Sequence, residues 1–598
     1  MKKAVLSAAL WVTLGLASTP SAWADDTQDF KKILDDHWHQ SLTESPTFAS
    51  ELGDRSANGR LSENSPLARQ RRQDFNDALL TRLAGVKATE LTPQDQVNYK
   101  VFLRLRQMEK ESYRHPDYLF PITNREGWHM FFAQTPASLP FMEAADYEHY
   151  LGLLADYPRY NAENMAVLAE AVEKGYTHYC TSMKGYETSI STHIVEDVTT
   201  SAFYSPFTRF PANMSEAQQK KVTERGIALI TEKVIPAYQL LYKLYTEKYA
   251  PACRKTVGIT SLPGGKEYYS YLIRNFTTTD LSPRQIHDTG LSEVKRLRGE
   301  MDKIIKKVGF KGTFPEFLVF LRTDPRFYAE SPTDLMEKVA LITKRMDGQL
   351  PKLFGYLPRN PYGLMEIPSD IAEKTTAAYY MPSQGDGSKS AGNYYINTSL
   401  LKSRPLYGLE ALSYHEAVPG HHLQGAIQKE MDLPNFRKYH YFNAYGEGWA
   451  LYAERLGLEV GFYTDPYSDF GRLTYEMWRA CRLVVDTGMH AFGWSRQQAI
   501  DFMAENTSLS LHEITTEVDR YITWPGQALA YKLGELSITA LRREAEQRLG
   551  DQFDIRAFHD MILGNGSLPI AVMEDLARDW MAAQEAKNIK HAQNNKQN

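Results

Sequence analysis

Over most of the chain, apolar positions recur three and four residues apart, the spacing of one face of an α-helix. From Phe30 to about Met108 the runs DFNDALLTRLAGV and QDQVNYKVFLRLRQMEKE carry this pattern. HPDYLFPITNREGWHMFF, with its Pro, Gly and clustered aromatics, reads as a loop, and YEHYLGLLADYPRYNAENMAVLAEAVEKGY returns to helix. SEAQQKKVTERGIALITEKVIPAYQLLYKLYTEKY predicts a long helix with a bend at Pro236, because proline removes a helical N–H and crowds the preceding turn. SPRQIHDTGLSEVKRLRGEMDKIIKKVG opens on a serine N-cap with proline at the first helical position. One stretch breaks the period. TTAAYYMPSQGDGSKSAGNYYINTS (375–399) is rich in Tyr and Thr around a Gly-Asp-Gly turn, which predicts a hairpin with strands over Ala377–Met381 and Asn393–Asn397. An exposed strand edge can hold an extended peptide through main-chain hydrogen bonds, which makes Tyr394 a candidate substrate-binding residue.

The pattern therefore predicts a mainly α protein with one small β-hairpin. At 598 residues the chain is long enough for two lobes around a cleft, read as 25–370 and 371–598 packed into one compact unit. Its ends differ from this body. Lys2 and Lys3 precede a mostly apolar run, Ala4 to Ala17, and Ala22-Trp23-Ala24 is a small-x-small cleavage pattern before Asp25. These features predict a secretory signal peptide over 1–24, cut after Ala24, and a periplasmic or secreted product. No later stretch approaches ~18 consecutive apolar residues, so no membrane span is expected after cleavage. The polar segment from Lys590 to Asn598 reads as a frayed tail.

Composition is ordinary for a globular enzyme, with 43% hydrophobic and 24% charged residues, which argues against disorder. A net charge of −5 supplies no basic field for nucleic acid. Three cysteines, Cys180, Cys253 and Cys481, contain no C-x-x-C pair, which excludes a thiolate zinc site. In an oxidising compartment one disulfide can form, and Cys180 with Cys253 is the pairing expected.

The chemistry concentrates in SYHEAVPGHHLQ (413–424). A His-Glu pair with a later His suggests zinc, but the helical spacing H-E-x-x-H is absent, since Pro419 stands four residues after His415. On an unbroken helix His415 and His421 diverge by ~600°, and His415 and His422 lie ~10.5 Å apart along the axis. Neither pair can share one ion. Pro419 and Gly420 change this, because proline cannot continue the hydrogen-bond ladder and glycine tolerates unusual backbone. A kink within residues 417–420 brings His421 back beneath His415. Glu416 then stands beside the first ligand as general base. In AYGEGWALYAERLG (444–457) Glu447 is the third candidate ligand, and Glu454, two turns on, suits an outer carboxylate. LHEITTE, with His512-Glu513 and no second histidine, is a decoy.

Together, HEAVPGHHLQ (415–424), EGWALYAERLG (447–457), VVDTGMHAFGWS (484–495) and PGQALAYKLG (525–534) resemble the bacterial domain-of-unknown-function family 885 (DUF885). That family is grouped with the zincin metallopeptidases, in the glutamate-ligand branch. The resemblance extends over most of the mature chain, with its specific motifs in residues 375–540. GHHLQ is also similar to the Gly-His of H-E-x-G-H in the helical carboxypeptidases and angiotensin-converting-enzyme-like dipeptidases, which favours His421 over His422. This chain departs from that pattern by a two-residue insertion containing Pro419.

The resemblance implies a large helical zincin-like peptidase with a deep cleft, the hairpin beside the metal-binding helix, and one Zn2+ per chain on His415, His421 and Glu447. It also implies a His and a Tyr from later helices that stabilise the developing oxyanion. His490, four residues beyond Asp486, and Tyr531, with Tyr521 as its rival, fill those roles here. Arg520 and Lys532 are candidate groups for a substrate carboxylate, with Arg479 and Arg482 as rivals. The function expected is zinc-dependent hydrolysis of short peptides, carboxypeptidase- or dipeptidase-like. Two other classes share these residues: a peptide-binding protein without catalysis, in which Glu416 has no task, and a zinc amidase acting on a cell-wall or other non-peptide amide. Sequence pattern carries no reading of oligomeric state.

Overall fold

The computed structural model describes residues 22–597, apart from Lys374 and residues 384–389. Most of the expected leader and the Gly-Asp-Gly turn lie outside these residues. The architecture is mainly helical with one three-stranded sheet. Helix α1 (Ala22–Glu44) opens the described chain. Just before Pro236, where a bend is expected, the helix widens into a π-helical turn, Ile230–Val234, which leads into the helix Ile235–Leu244. Proline has no N–H to offer the carbonyl one turn back, and the widened turn accommodates that gap. Helix α2 (Pro283–Lys307) starts as its sequence predicts, with Ser282 accepting from the Gln285 N–H and the Gln285 side chain accepting from the Ser282 N–H.

The sheet contains β1 (Tyr362–Glu366), β2 (Ala378–Met381) and β3 (Gly392–Ile396) in the order β1-β3-β2. The antiparallel pair β2 and β3 corresponds to the expected hairpin within a residue at each end. β1, which runs parallel to β3, is an addition to it. Along β3 the residues Gly392, Tyr394 and Ile396 alternate into the core.

The functional half is built from six helices: α3 (Leu409–Glu416), α4 (His421–Glu430), α5 (Asn443–Glu459), α6 (Pro466–Ala491), α7 (Leu511–Thr523) and α8 (Ala530–Leu549). Helix α9 (Ile570–Gln597) closes the chain and continues through the segment expected to fray. α5 and α8 pack glycine on glycine: a Cβ on Gly448 would lie 2.5 Å from the Gly534 Cα. This close crossing seats α8 against the helix that carries Glu447.

Two of the large apolar clusters draw residues from both sides of residue 370. One joins Leu297, Phe317 and Val339 to Trp478 and Tyr521. The other joins Phe30, Leu83 and Phe102 to Trp449, Ile562 and Met581. Cys180 and Cys253 form a disulfide, and Cys481 is buried as a free thiol in α6. Among the described residues no helix is long and apolar enough to cross a membrane.

Candidate metal centre

The helix carrying His415 stops at Glu416, and the next begins at His421. Between them Ala417 adopts φ −95°, ψ −104°, the Val418–Pro419 peptide is cis, and Gly420 adopts φ −80°, ψ −129°. A Cβ on Gly420 would stand 1.9 Å from the His415 carbonyl oxygen and 2.4 Å from that of Tyr414, so only glycine fits. The break is tied to α5, because the Trp449 indole N–H donates to the Pro419 carbonyl at 2.8 Å. The irregular turn and the helix bearing Glu447 therefore hold each other in place.

The result is a cluster of His415, His421 and Glu447 whose candidate ligand atoms all lie within 4.8 Å of one another. Glu447 Oε2 is 3.3 Å from His421 Nε2 and 3.6 Å from His415 Nε2. Ligands ~2.0–2.1 Å from one tetrahedral zinc lie roughly 3.4 Å apart, so the donor set fits that ion. Glu447 Oε2 is buried without a hydrogen-bond partner, as an oxygen reserved for a cation would be. His415 Nδ1 lies 2.8 Å from Glu454 Oε1, and Arg479 Nη2 is 3.7 Å from the same oxygen. With Nδ1–H donating to that carboxylate, Nε2 keeps its lone pair for a metal.

Charge follows the same geometry. Burial works against protonation of His415, but Glu447 and Glu454 outweigh it and raise its pKa to about 9. Burial would raise the Glu447 carboxyl, yet His421 and His415 hold it well below the usual range. A cation entering this cluster would therefore displace a proton.

A cavity of about 250 Å³ opens on this cluster, and Glu416, Tyr380, Tyr531 and Arg520 stand in its wall. The Tyr531 ring lies 13° from parallel to the His415 ring, with centroids 6.4 Å apart. His422 is not in the cluster. It turns toward the sheet, where its Nδ1 meets the Tyr380 hydroxyl at 3.0 Å, and burial pushes its pKa down to about 4.

Three expected site residues lie elsewhere. His490 is fully buried away from the cavity. Its Nδ1 accepts from the Ile259 N–H at 3.1 Å and its Nε2–H donates to the Tyr521 carbonyl at 2.9 Å. Asp486, expected to orient it, instead accepts from the Tyr269 hydroxyl and the Gly526 N–H. Lys532 has no exposed surface and is held by Glu535 at 2.7 Å, Glu476 at 2.8 Å and Glu293 at 3.1 Å, so it cannot receive a substrate. Tyr394 packs into the core behind the sheet, and β2, from Ala378 to Tyr380, faces the cavity instead. Tyr521 is also buried, accepting from the Trp478 indole N–H and from Arg482 Nε, each at 2.8 Å.

The sequence reading passed over Tyr441 and Arg125. Tyr441 precedes α5 and rests on Gly446, with its ring 6.4 Å from that of His421. Desolvation, with the nearby Glu447, Tyr531 and Glu416, pushes its hydroxyl well above the ordinary tyrosine value. Arg125 reaches the cavity from a loop far earlier in the chain. Neither sits in a periodic segment, and Tyr441 stands five residues before the Gly-Glu-Gly of α5, so no local pattern singled out either one.

The family described as "Bacterial protein of unknown function (DUF885)" matches residues 46–576. No curated protein sequence matches the chain. Among solved structures, that of "the putative lipoprotein from Colwellia psychrerythraea" superposes with a TM-score of 0.87 at 28% identity, over 93% of this chain and 100% of that one. A second, "a putative lipoprotein of unknown function from Shewanella oneidensis", gives 0.69 at 19% identity over 92% and 99%, a likeness of fold.

Proposed function

The chain belongs to the DUF885 family of bacterial proteins, and we propose that it is a zinc-dependent peptidase of zincin type that hydrolyses short peptides. One observation carries the reading: His415, His421 and Glu447 converge on one point, with Glu416 beside them on the cavity wall. Zinc held by those three would supply Lewis-acid chemistry, polarising a carbonyl and acidifying water. Glu416 takes the proton from the attacking water and passes it to the leaving amine. The tyrosines Tyr531 and Tyr441, rather than His490, are the donors for the developing oxyanion. The substrate backbone lies along β2, at the edge of the sheet, as an added strand. A 250 Å³ cavity inside a helical shell takes a few residues of extended chain, so folded proteins are poor substrates. The Cys180–Cys253 disulfide and the leader-like N-terminus are consistent with an exported protein, and we place it in the periplasm or outside the cell.

Elemental analysis beside a peptide-cleavage assay tests this. The expected outcome is about one zinc per wild-type chain, by the one-cluster geometry. His415→Ala should lose the metal. Glu416→Gln should keep it and lose turnover. Absence of stoichiometric metal after zinc is supplied, or a Glu416→Gln variant as active as wild type, would overturn the reading.

A further inference from the structure

The cavity wall facing the His/Glu cluster gathers three arginines around one carboxylate. Glu517, 1% exposed, is approached by three guanidinium groups: Arg482 Nη2 at 2.9 Å, Arg125 Nη2 at 3.3 Å and Arg520 Nη1 at 3.7 Å. One carboxylate balances one of these charges. Arg482 Nη1 and Arg125 Nε are buried with no hydrogen-bond partner in the protein. Arg482 is itself 3% exposed, and a buried guanidinium left short of acceptors is costly. All three arginines line the cavity. The arrangement is three guanidinium groups pre-oriented by one shared carboxylate at the edge of a small space.

The fold also fixes where this wall stands relative to the cluster. The Tyr531 ring stacks beside the His415 ring and carries the Arg482 Cζ 4.2 Å from its centroid. One aromatic ring therefore separates histidine from guanidinium. At ~3.3–3.6 Å per extended residue, that gap spans on the order of one to three residues of substrate. β2 gives the direction. Its first residues, Ala378 to Tyr380, face the arginine cavity, and the end at Met381 leads into a neighbouring cavity of about 600 Å³ that also contains Phe131 and Tyr441. A peptide antiparallel to β2 brings its C-terminal end to the arginines. A parallel one would bring its ammonium there, against like charge.

We propose that Arg125, Arg482 and Arg520, anchored on Glu517, form a receptor for a free C-terminal carboxylate. The protein then takes peptides by that end and cuts within a few residues of it. The position of the cut rests on the peptidase reading; the carboxylate receptor does not.

The test is calorimetric binding to the full-length Glu416→Gln protein, with and without zinc. Three probes are used: N-acetyl-trialanine as the free acid, its C-terminal amide, and the amide with glutamate as its last residue. A charge-assisted contact of this kind predicts that the free acid binds about 10- to 100-fold tighter than either amide. Arg520→Gln should remove that preference, bringing the free acid down to the affinity of the amides. Equal affinity for acid and amide, or no binding of any probe, overturns the proposal. So does a glutamyl amide that matches the free acid, which would mark a reader of acidic side chains. If the acid is preferred but wild-type protein cleaves no peptide, the receptor stands and the peptidase reading falls. If acid and amide are bound and cleaved alike, the peptidase stands and the receptor falls.

Discussion

Gly420→Ala tests the break between the two histidines most directly. The new Cβ would sit 1.9 Å from the His415 carbonyl oxygen and 2.4 Å from the Tyr414 carbonyl oxygen, both backbone atoms with no rotamer to yield. Relief requires the two segments to part by more than about an ångström, since Cβ atoms are not accommodated much inside van der Waals contact. Zinc–ligand distances tolerate only about ±0.2 Å, so a shift of that size separates His415 from His421 as partners. Overpacking at a rigid site costs ~1–3 kcal/mol of stability, and displacing one of three ligands should weaken zinc by about 100-fold or more. Gly425, in the same helix α4, is the control. A Cβ there meets nothing within 4 Å, so Gly425→Ala should leave zinc binding intact and stabilise by ~0.5–1 kcal/mol through helix propensity. Chelator-competition titration and thermal melts of both variants are the assays. If Gly420→Ala binds zinc as tightly as Gly425→Ala and melts at the same temperature, the account of this turn is wrong.

Lys532→Met leaves Glu535 buried without its cation, while Arg296 still pairs with Glu293 and Glu476, and should cost about 3 kcal/mol in a melt with peptide affinity unchanged; loss of affinity without loss of stability would restore Lys532 to the site. His490 is held neutral because its Nδ1 must accept the Ile259 N–H, and burial lowers its pKa to about 3. As pH falls below 6.5 the unfolded chain takes up that proton and the folded one does not, so stability is complete above pH 6.5 and declines by ~1.4 kcal/mol per unit down to about pH 3. Urea midpoints at pH 7 and pH 5 should therefore fall less steeply for His490→Gln than for wild type, and equal slopes would contradict the argument.

The His/Glu cluster was legible because its sequence spacing was physically impossible on a straight helix. His415 and His421 with Pro419 and Gly420 between them left few solutions, and the chain adopts a broken one. The hairpin was legible from its Tyr- and Thr-rich flanks around Gly-Asp-Gly, whereas β1 was hidden because it pairs in parallel with a strand distant in sequence. His490 and Lys532 were misjudged for a related reason. Between Phe470 and His490 every residue of α6 except Glu476 is buried, so periodicity no longer distinguishes a cavity face from a core face. Lys532 sits on α8 where that helix meets Glu476 of α6. The arginine wall was half legible. Arg482 and Arg520 lie in the motif region, but their meeting with Arg125 depends on a tertiary contact that no local pattern encodes.

The cluster that joins Phe30 to Met581 sets the order of events during biosynthesis. Phe30 of α1 and Met581 of α9 belong to one core, so that core is complete only once α9 has been synthesised. Such long-range pairing slows folding and leaves the nascent chain open in the meantime. If the chain is exported as proposed above, that delay keeps it passable through a translocon. It also means that a truncation before α9 yields an unsealed chain exposed to proteases, whatever remains of the His/Glu cluster.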